Sequence, residues 1–249
     1  MLHDGAQAIV VDPGDARPVL EALRSRSLDL VGILVTHHHA DHTAGLDALR
    51  ACLAPAHAHR IYGPAVGRIE QVRTRVHGGD TFDLLGARWE VLDLPGHTLD
   101  HIGFFTADAG QGLGPVVFCG DTLFSAGCGR LFEGTPAQLH GSLQRLASLP
   151  SITKVCCTHE YTLSNLKFAM AIDPENPALC DHLQRCRQWR QQSLPTLPSS
   201  IGLERAINPF LRCEFPEIVA SAARHDARVR ADDPVSVLGA LRAWKNSFQ

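Results

Sequence analysis

A short β-branched apolar run, Leu30-Val31-Gly32-Ile33-Leu34-Val35, leads directly into Thr36-His37-His38-His39-Ala40-Asp41-His42-Thr43-Ala44-Gly45. A run of this length and character makes a buried strand, so five metal-binding side chains emerge together at a strand's end. In extended backbone, side chains at i and i+2 share a face. His37 and His39 therefore meet one ion, His38 between them points away, and Asp41 and His42 fall where the chain turns toward a helix. A tag-like polar run does not follow a buried strand or carry an Asp-His pair. The loop reads as ligands for two metal sites.

The same strand-then-polar-turn pattern recurs. Ala8 to Asp12 reads as a strand ended by Pro13-Gly14, after which Pro18 opens a helix bearing Val19, Leu20 and Leu23. Leu46, Leu49 and Leu53 predict one helix after the histidine loop. Strands are expected at Arg60 to Tyr62, Thr81 to Leu85, Arg88 to Leu94, Ile102 to Thr106, Val116 to Cys119 and Lys154 to Thr158. Thr135-Pro136-Ala137-Gln138 has the form of a capping box ahead of a helix buried through Leu139, Leu143 and Leu146. From about Tyr161 onward only helical patterns are expected. Leu163, Leu166 and Met170 form one face, Leu179, Leu183, Cys186 and Trp189 another, and Leu194 to Ser200 a loop. A last helix starts at Pro234 with Asp233 as N-cap and Leu238 and Leu241 inward. The expectation is an α+β chain, with a catalytic domain over 1–165 and a helical extension over 166–249.

Composition excludes several classes of function. At 249 residues, 45% hydrophobic and 20% charged, the chain is long enough and apolar enough to bury a core. A net charge of -3 gives no general attraction for nucleic acid. No apolar run reaches membrane-spanning length. The start, Met1-Leu2-His3-Asp4-Gly5, has neither the basic flank nor the apolar core of a signal peptide. Eight cysteines without a Cys-x-x-Cys pair read as reduced thiols of a cytoplasmic protein.

Three more polar residues fall at strand ends or tight turns: His97 in Pro95-Gly96-His97-Thr98, Asp121 in Gly120-Asp121-Thr122, and His159 in Thr158-His159-Glu160-Tyr161. With the first loop they make five histidines and two aspartates. Imidazole and carboxylate suit zinc, iron and manganese, and a bridging carboxylate holds two cations close together. The expected assignment places His37, His39 and His97 on one ion and Asp41, His42 and His159 on the other, with Asp121 bridging. Such a pair lowers the pKa of a shared water from 15.7 to about 7, and Asp41 is also placed to orient that water. Arg242 and Lys245, at i and i+3, share a face of the last helix. By themselves they read as a solvated helix end with cations favourably placed for the helix dipole.

Thr-His-x-His-x-Asp-His followed by Pro-Gly-His-Thr, Gly-Asp-Thr and a late histidine resembles the metallo-β-lactamase superfamily. More narrowly, Gly120-Asp121-Thr122-Leu123-Phe124-Ser125-Ala126-Gly127-Cys128-Gly129-Arg130, His159-Glu160-Tyr161-Thr162 and Asn208-Pro209-Phe210-Leu211-Arg212 resemble the hydroxyacylglutathione hydrolases, or glyoxalases II. The resemblance spans nearly the whole chain. It implies a four-layer αββα sandwich with a C-terminal helical extension, and two divalent cations, zinc first with iron or manganese as alternatives. The implied reaction is hydrolysis of S-D-lactoylglutathione to D-lactate and glutathione, the second step of methylglyoxal detoxification, by a monomer. It also implies that Arg242 and Lys245 bind the glycine carboxylate of glutathione, and that Arg130 and Tyr161 contact substrate, with Asn165 a weaker candidate.

The chain departs from the family in three places. A strand that relatives carry before Leu2 is missing, which points to a miscalled start or a shortened form with an exposed sheet edge. Phe132 stands where some relatives have tyrosine, so one hydrogen bond to substrate is lost. Asp100 replaces a glycine that would tolerate a positive φ more readily. Two rival readings remain: a mononuclear iron persulfide dioxygenase on the same fold, and a catalytically impaired metal-binding homologue.

Overall fold

Runs of alternating and continuous apolar residues set the strands, and the turns between them carry the polar residues of interest. The computed structural model describes residues 1–66 and 68–248. The chain divides into two compact units, Met1–Asp93 with Asp100–Gly120, and Leu94–Leu99 with the chain from Asp121 onward.

The first unit begins with β1 (Leu2–His3), β2 (Gln7–Val11), α1 (Ala16–Arg26) and β3 (Asp29–Leu34), followed by the short helices α2 (Ala40–Thr43) and α3 (Leu46–Arg50). Strands β4 (Ile61–Pro64) and β5 (Thr74–Val76) complete a five-stranded sheet of order β1-β2-β3-β4-β5. β1 runs antiparallel to β2, and β2 through β5 are parallel neighbours. Parallel strands are buried on both faces, which is why β2 and β3 are nearly unbroken apolar runs. Beyond them β6 (Thr81–Leu84), β7 (Ala87–Asp93), β8 (Ile102–Thr106) and β9 (Val116–Gly120) form an antiparallel meander. Trp89, fully buried on β7, stacks on Phe118 at 5.5 Å and donates its indole N–H to the Leu84 carbonyl at 3.0 Å.

Several expectations for this unit need correction. α1 starts at Ala16, not Pro18, because the Asp15 carboxylate caps the Arg17 N–H. Pro18 is still tolerated there, since the first four amides of a helix have no intrahelical partner. The helix expected to carry Leu46, Leu49 and Leu53 is the short α3, which ends at Arg50, so Leu53 lies outside it although it is buried. The strand β5 was not foreseen, because three residues carry too little pattern. Asp100 is not among the residues with left-handed backbone, so its side chain imposes no strain of that kind.

The second unit contains the two-stranded hairpin β10 (Leu123–Phe124) and β11 (Gly127–Cys128), then α4 (Pro136–Ala147), β12 (Lys154–Cys157), α5 (Thr162–Ile172) and α6 (Pro177–Gln191). β13 (Ser199–Ser200), α7 (Ile201–Ile207), α8 (Pro216–His225) and α9 (Pro234–Ser247) follow. β13 corrects the expectation of no strand after Tyr161: Ser199 and Ser200 pair antiparallel with Val155 and Lys154. On α5, Leu166 is buried but Leu163 is exposed, so that face is narrower than its leucines imply. α9 begins at Pro234 with the Asp233 carboxylate accepting from the Val235 N–H, and Leu238 and Leu241 are fully buried.

Thr135 and Gln138 make the full capping box of α4. Thr135→Ala removes it, and the expected result is a loss of about 1 kcal/mol. Calorimetry should read this as a fall in Tm of roughly 2–4 °C. Among the described residues, every cysteine is a free thiol and no helix is long and apolar enough to cross a membrane.

Candidate metal centre

In the first unit the candidate ligands hang from the end of β3. Thr36 is fixed by Asp12, whose Oδ1 accepts the Thr36 N–H at 2.7 Å and whose Oδ2 accepts the Thr36 hydroxyl at 2.7 Å. His37, fully buried, has its Nδ1 3.0 Å from the Thr36 hydroxyl and its Nε2 3.1 Å from His39 Nδ1. The His42 ring lies 4.0 Å from the His37 ring, and His101 stacks on His37 at 4.8 Å. Asp41 is largely exposed, with Oδ2 3.6 Å from His42 Nε2. His38 turns away, placing Nδ1 2.9 Å and 3.0 Å from the two Asp100 oxygens, while Arg68 reaches its Nε2 at 3.3 Å.

Asp12 carries no sign of this role in the sequence, where it reads only as the last residue of a strand ended by Pro13-Gly14. Its Oδ2 also lies 3.2 Å from His42 Nδ1. A carboxylate on the far nitrogen of a ligating histidine fixes the ring's orientation and raises its basicity. The turn is pressed against the ligand loop: a Cβ on Gly14 would stand 2.0 Å from the Asp41 carbonyl oxygen, so only glycine fits. Asp12→Asn keeps the shape, and asparagine tolerates the φ of 48° found at this position. The substitution should weaken metal binding about 10- to 100-fold, measured by competition with a chelating dye, while the circular dichroism spectrum is unchanged.

In the second unit the organising residue is Asp121, buried immediately after β9. His97 Nε2 lies 3.5 Å from its Oδ2 and His159 Nε2 3.5 Å from its Oδ1, and the Thr158 hydroxyl donates to Oδ1. His97 Nδ1 is 2.9 Å from the Arg130 carbonyl oxygen. A carbonyl only accepts, so Nδ1 carries a proton, and in the neutral ring Nε2 then presents a lone pair toward the Asp121 carboxylate. A lone pair and an anionic oxygen at that distance repel unless a cation lies near both. The donors on both units, imidazole nitrogen and carboxylate oxygen, are those that divalent transition metals take. Each set fits metal binding.

The residues expected to contact substrate also lie in the second unit. Tyr161, half exposed, stacks on the His159 ring at 5.1 Å. Phe132, exposed, sets its edge against His97 at 5.2 Å and has no hydroxyl to offer. Arg242 is buried, donating from Nη1 to the Cys128 carbonyl at 2.8 Å and lying over the Phe210 ring at 5.3 Å. Lys245 donates to the Ser164 hydroxyl at 3.2 Å and lies over Phe168 at 5.4 Å. Its pKa is lowered, first by burial and then by the positive charges of Arg242 and Arg130, with Lys167 adding a little. Among the described residues none of these four cations is paired with a carboxylate. Asn165 faces inward and donates to the Ser125 carbonyl.

Residues 1–159 match the metallo-β-lactamase superfamily model, and residues 160–248 match the model for the hydroxyacylglutathione hydrolase C-terminus. A hydroxyacylglutathione hydrolase from Albidiferax ferrireducens is 53% identical over 248 residues, covering 100% of this chain and 94% of the relative. The chain belongs to the hydroxyacylglutathione hydrolase family. Among solved structures, BLEG-1 B3 metallo-β-lactamase superposes with a TM-score of 0.58 at 22% identity, covering 85% of this chain and 91% of that one. ETHE1 from Myxococcus xanthus superposes with a TM-score of 0.52 at 27% identity, covering 81% and 86%. The fold is therefore the metallo-β-lactamase fold with a helical C-terminal region, as the motifs implied.

Proposed function

We propose that this chain is a thioester hydrolase that converts S-D-lactoylglutathione to D-lactate and glutathione. Family membership supports the reaction class. The observation that carries the substrate is the cluster of Arg130, Lys167, Arg242 and Lys245, where like charges and burial depress the Lys245 pKa with no carboxylate to relieve them. A cluster of that kind calls for an anionic ligand, and glutathione brings two carboxylates. In this reading Arg242 and Lys245 take the glycine carboxylate, Arg130 contributes a further basic contact, and Tyr161 lies against the bound tripeptide.

His37, His39 and His97 are proposed to hold one divalent cation and Asp41, His42 and His159 a second, with Asp121 shared between them. Zinc suits this set, as do iron and manganese. The cations would supply hydroxide at neutral pH and stabilise the oxyanion on the thioester carbonyl. The protein's part is orientation. Asp12 holds His42, the Arg130 carbonyl holds His97 in the Nδ1–H tautomer, and the exposed carboxylate of Asp41 is placed to orient a water. The basic cluster fixes the thiol half of the substrate, so the acyl carbonyl is presented rather than searched for. The leaving thiolate belongs to a thiol of pKa about 8.5, so no strong general acid is required.

We further propose a cytoplasmic monomer, with residues 1–165 catalytic and 166–249 binding substrate. The test is elemental analysis run beside a thioester-cleavage assay. Two metal ions per chain and release of glutathione are expected. One iron per chain with oxygen uptake on glutathione persulfide would replace the hydrolase with a dioxygenase, and metal binding without either activity would leave an impaired homologue.

A further inference from the structure

The turn joining β10 to β11 is poorly supported by its own backbone. Ala126 sits at φ 54°, a left-handed conformation that disfavours any residue with a Cβ by roughly 1–2 kcal/mol, and the ladder on either side is only two residues long. Side chains from the helical region supply what the ladder lacks. The Ala126 N–H donates to Glu204 Oε2 at 2.8 Å. The Asn208 side-chain amide donates to the Gly127 carbonyl at 2.9 Å, to the Phe124 carbonyl at 3.2 Å and to Glu204 Oε2 at 3.0 Å. Asn165 donates to the Ser125 carbonyl at 3.1 Å, and the Ser199 hydroxyl donates to Glu204 Oε1. Glu204 and Asn208 are completely buried. The fit leaves no slack: a Cβ on Gly127 would stand 2.5 Å from the Asn165 side-chain carbon.

A carboxyl group in such a place is expensive. Burial raises the Glu204 pKa, opposed by the hydrogen bonds from Ser199, Ala126 and Asn208. Apart from the Ser199 hydroxyl on Oε1, the donors it accepts from are the hairpin turn itself, at Ala126, and Asn208, which grips the hairpin, so its placement is explained by what the hairpin carries. The next residue after Gly127 is Cys128, whose carbonyl receives Arg242. Two residues further, the Arg130 carbonyl receives His97 Nδ1. The strand before the turn begins two residues after Asp121.

The geometry points to Glu204, together with Asn208, as positioning residues: they hold the Phe124–Gly127 turn where the Cys128 carbonyl seats Arg242 and the Arg130 carbonyl orients His97. Neither touches substrate or metal. The substrate part of this inference rests on the proposed hydrolase; the part concerning His97 needs only that the histidine is a metal ligand.

The experiment uses the full chain loaded with zinc, at a temperature where circular dichroism shows each variant fully folded. In Glu204→Ala, the Ala126 amide and the Ser199 hydroxyl lose the carboxylate they donate to, and the Asn208 side chain loses one of its three acceptors. Asn208→Ser is a milder second variant should Glu204→Ala fail to fold. Glu204→Gln is the conservative rescue, because its oxygen can stay on the Ala126 and Asn208 donors while its amide donates to the Ser199 hydroxyl, which can accept. We expect Glu204→Ala and Asn208→Ser to raise KM for S-D-lactoylglutathione about tenfold and to weaken zinc retention about tenfold in a chelator competition, with most of both restored in Glu204→Gln. A residue that only stabilises the fold would reduce the active fraction, lowering apparent kcat at constant KM and constant zinc affinity. That pattern in both variants overturns the inference. If the wild-type chain binds zinc but leaves the thioester intact, the hydrolase reading fails, and the zinc competition alone decides the role of Glu204.

Discussion

Asp121→Ala should leave the purified protein short of metal and lower kcat/KM for S-D-lactoylglutathione by a factor of roughly 10³ or more, equivalent to about 4 kcal/mol of transition-state stabilisation. The reason is that one buried carboxylate faces two imidazoles at once, His97 on Oδ2 and His159 on Oδ1, each at 3.5 Å. Removing it takes a ligand from both proposed cations and the negative charge proposed to lie between them. Asp121→Asn separates charge from shape, since the amide keeps the volume and one oxygen for the Thr158 hydroxyl; it too should lose metal, though less completely. Elemental analysis and steady-state kinetics on the same preparations check this, with circular dichroism to confirm folding. A folded Asp121→Ala protein with full metal and a kcat/KM within tenfold of wild type would remove Asp121 from the centre.

Arg242→Ala should raise KM about 10- to 100-fold and change kcat by less than about threefold. A hydrogen bond to a charged group contributes about 1.5–3 kcal/mol, which sets that range, and a contact remote from the reacting carbonyl is made equally in ground and transition states. Arg242 has a second task, because its Nη1 satisfies the buried Cys128 carbonyl. Truncation therefore also costs about 1–3 kcal/mol of stability and should lower Tm. Lys245→Ala separates the two, since Lys245 reaches the Ser164 hydroxyl and carbonyl and supports no part of the hairpin. It should raise KM in the same direction with little change in Tm. A fall in kcat at constant KM in both variants would place these cations outside substrate binding.

Much of the architecture is legible because its causes are local. The β3 run, the capping box at Thr135 and the Asp233 cap of α9 each lie within a few consecutive residues, and each forms as its pattern requires. What escaped sequence reading depends on residues far apart in the chain. Asp12 meets Thr36 across 24 positions because β2 and β3 are parallel neighbours, a pairing no window reveals. β13 is two residues long and exists only because Lys154 and Val155 offer it an edge. Glu204 lies in a helix among Leu203 and Arg205, where a glutamate normally marks the solvent side; the buried turn it serves is 78 residues upstream. Arg242 and Lys245 carry no local sign of a task. Their significance comes from Arg130 and Lys167, distant in sequence, sharing the neighbourhood without an acid.

Position 130 divides its duties between backbone and side chain. The carbonyl fixes the His97 tautomer, and the guanidinium adds to the basic cluster. Because every amino acid supplies the same carbonyl, the side chain here can drift, for instance from arginine to lysine or to an uncharged group, and in the proposed hydrolase this would retune which thiol is accepted without disturbing the proposed metal ligand. The fold thus offers a place where ligand preference can evolve at low risk to the reaction itself, and a library randomised at this one codon is a direct route to altered preference.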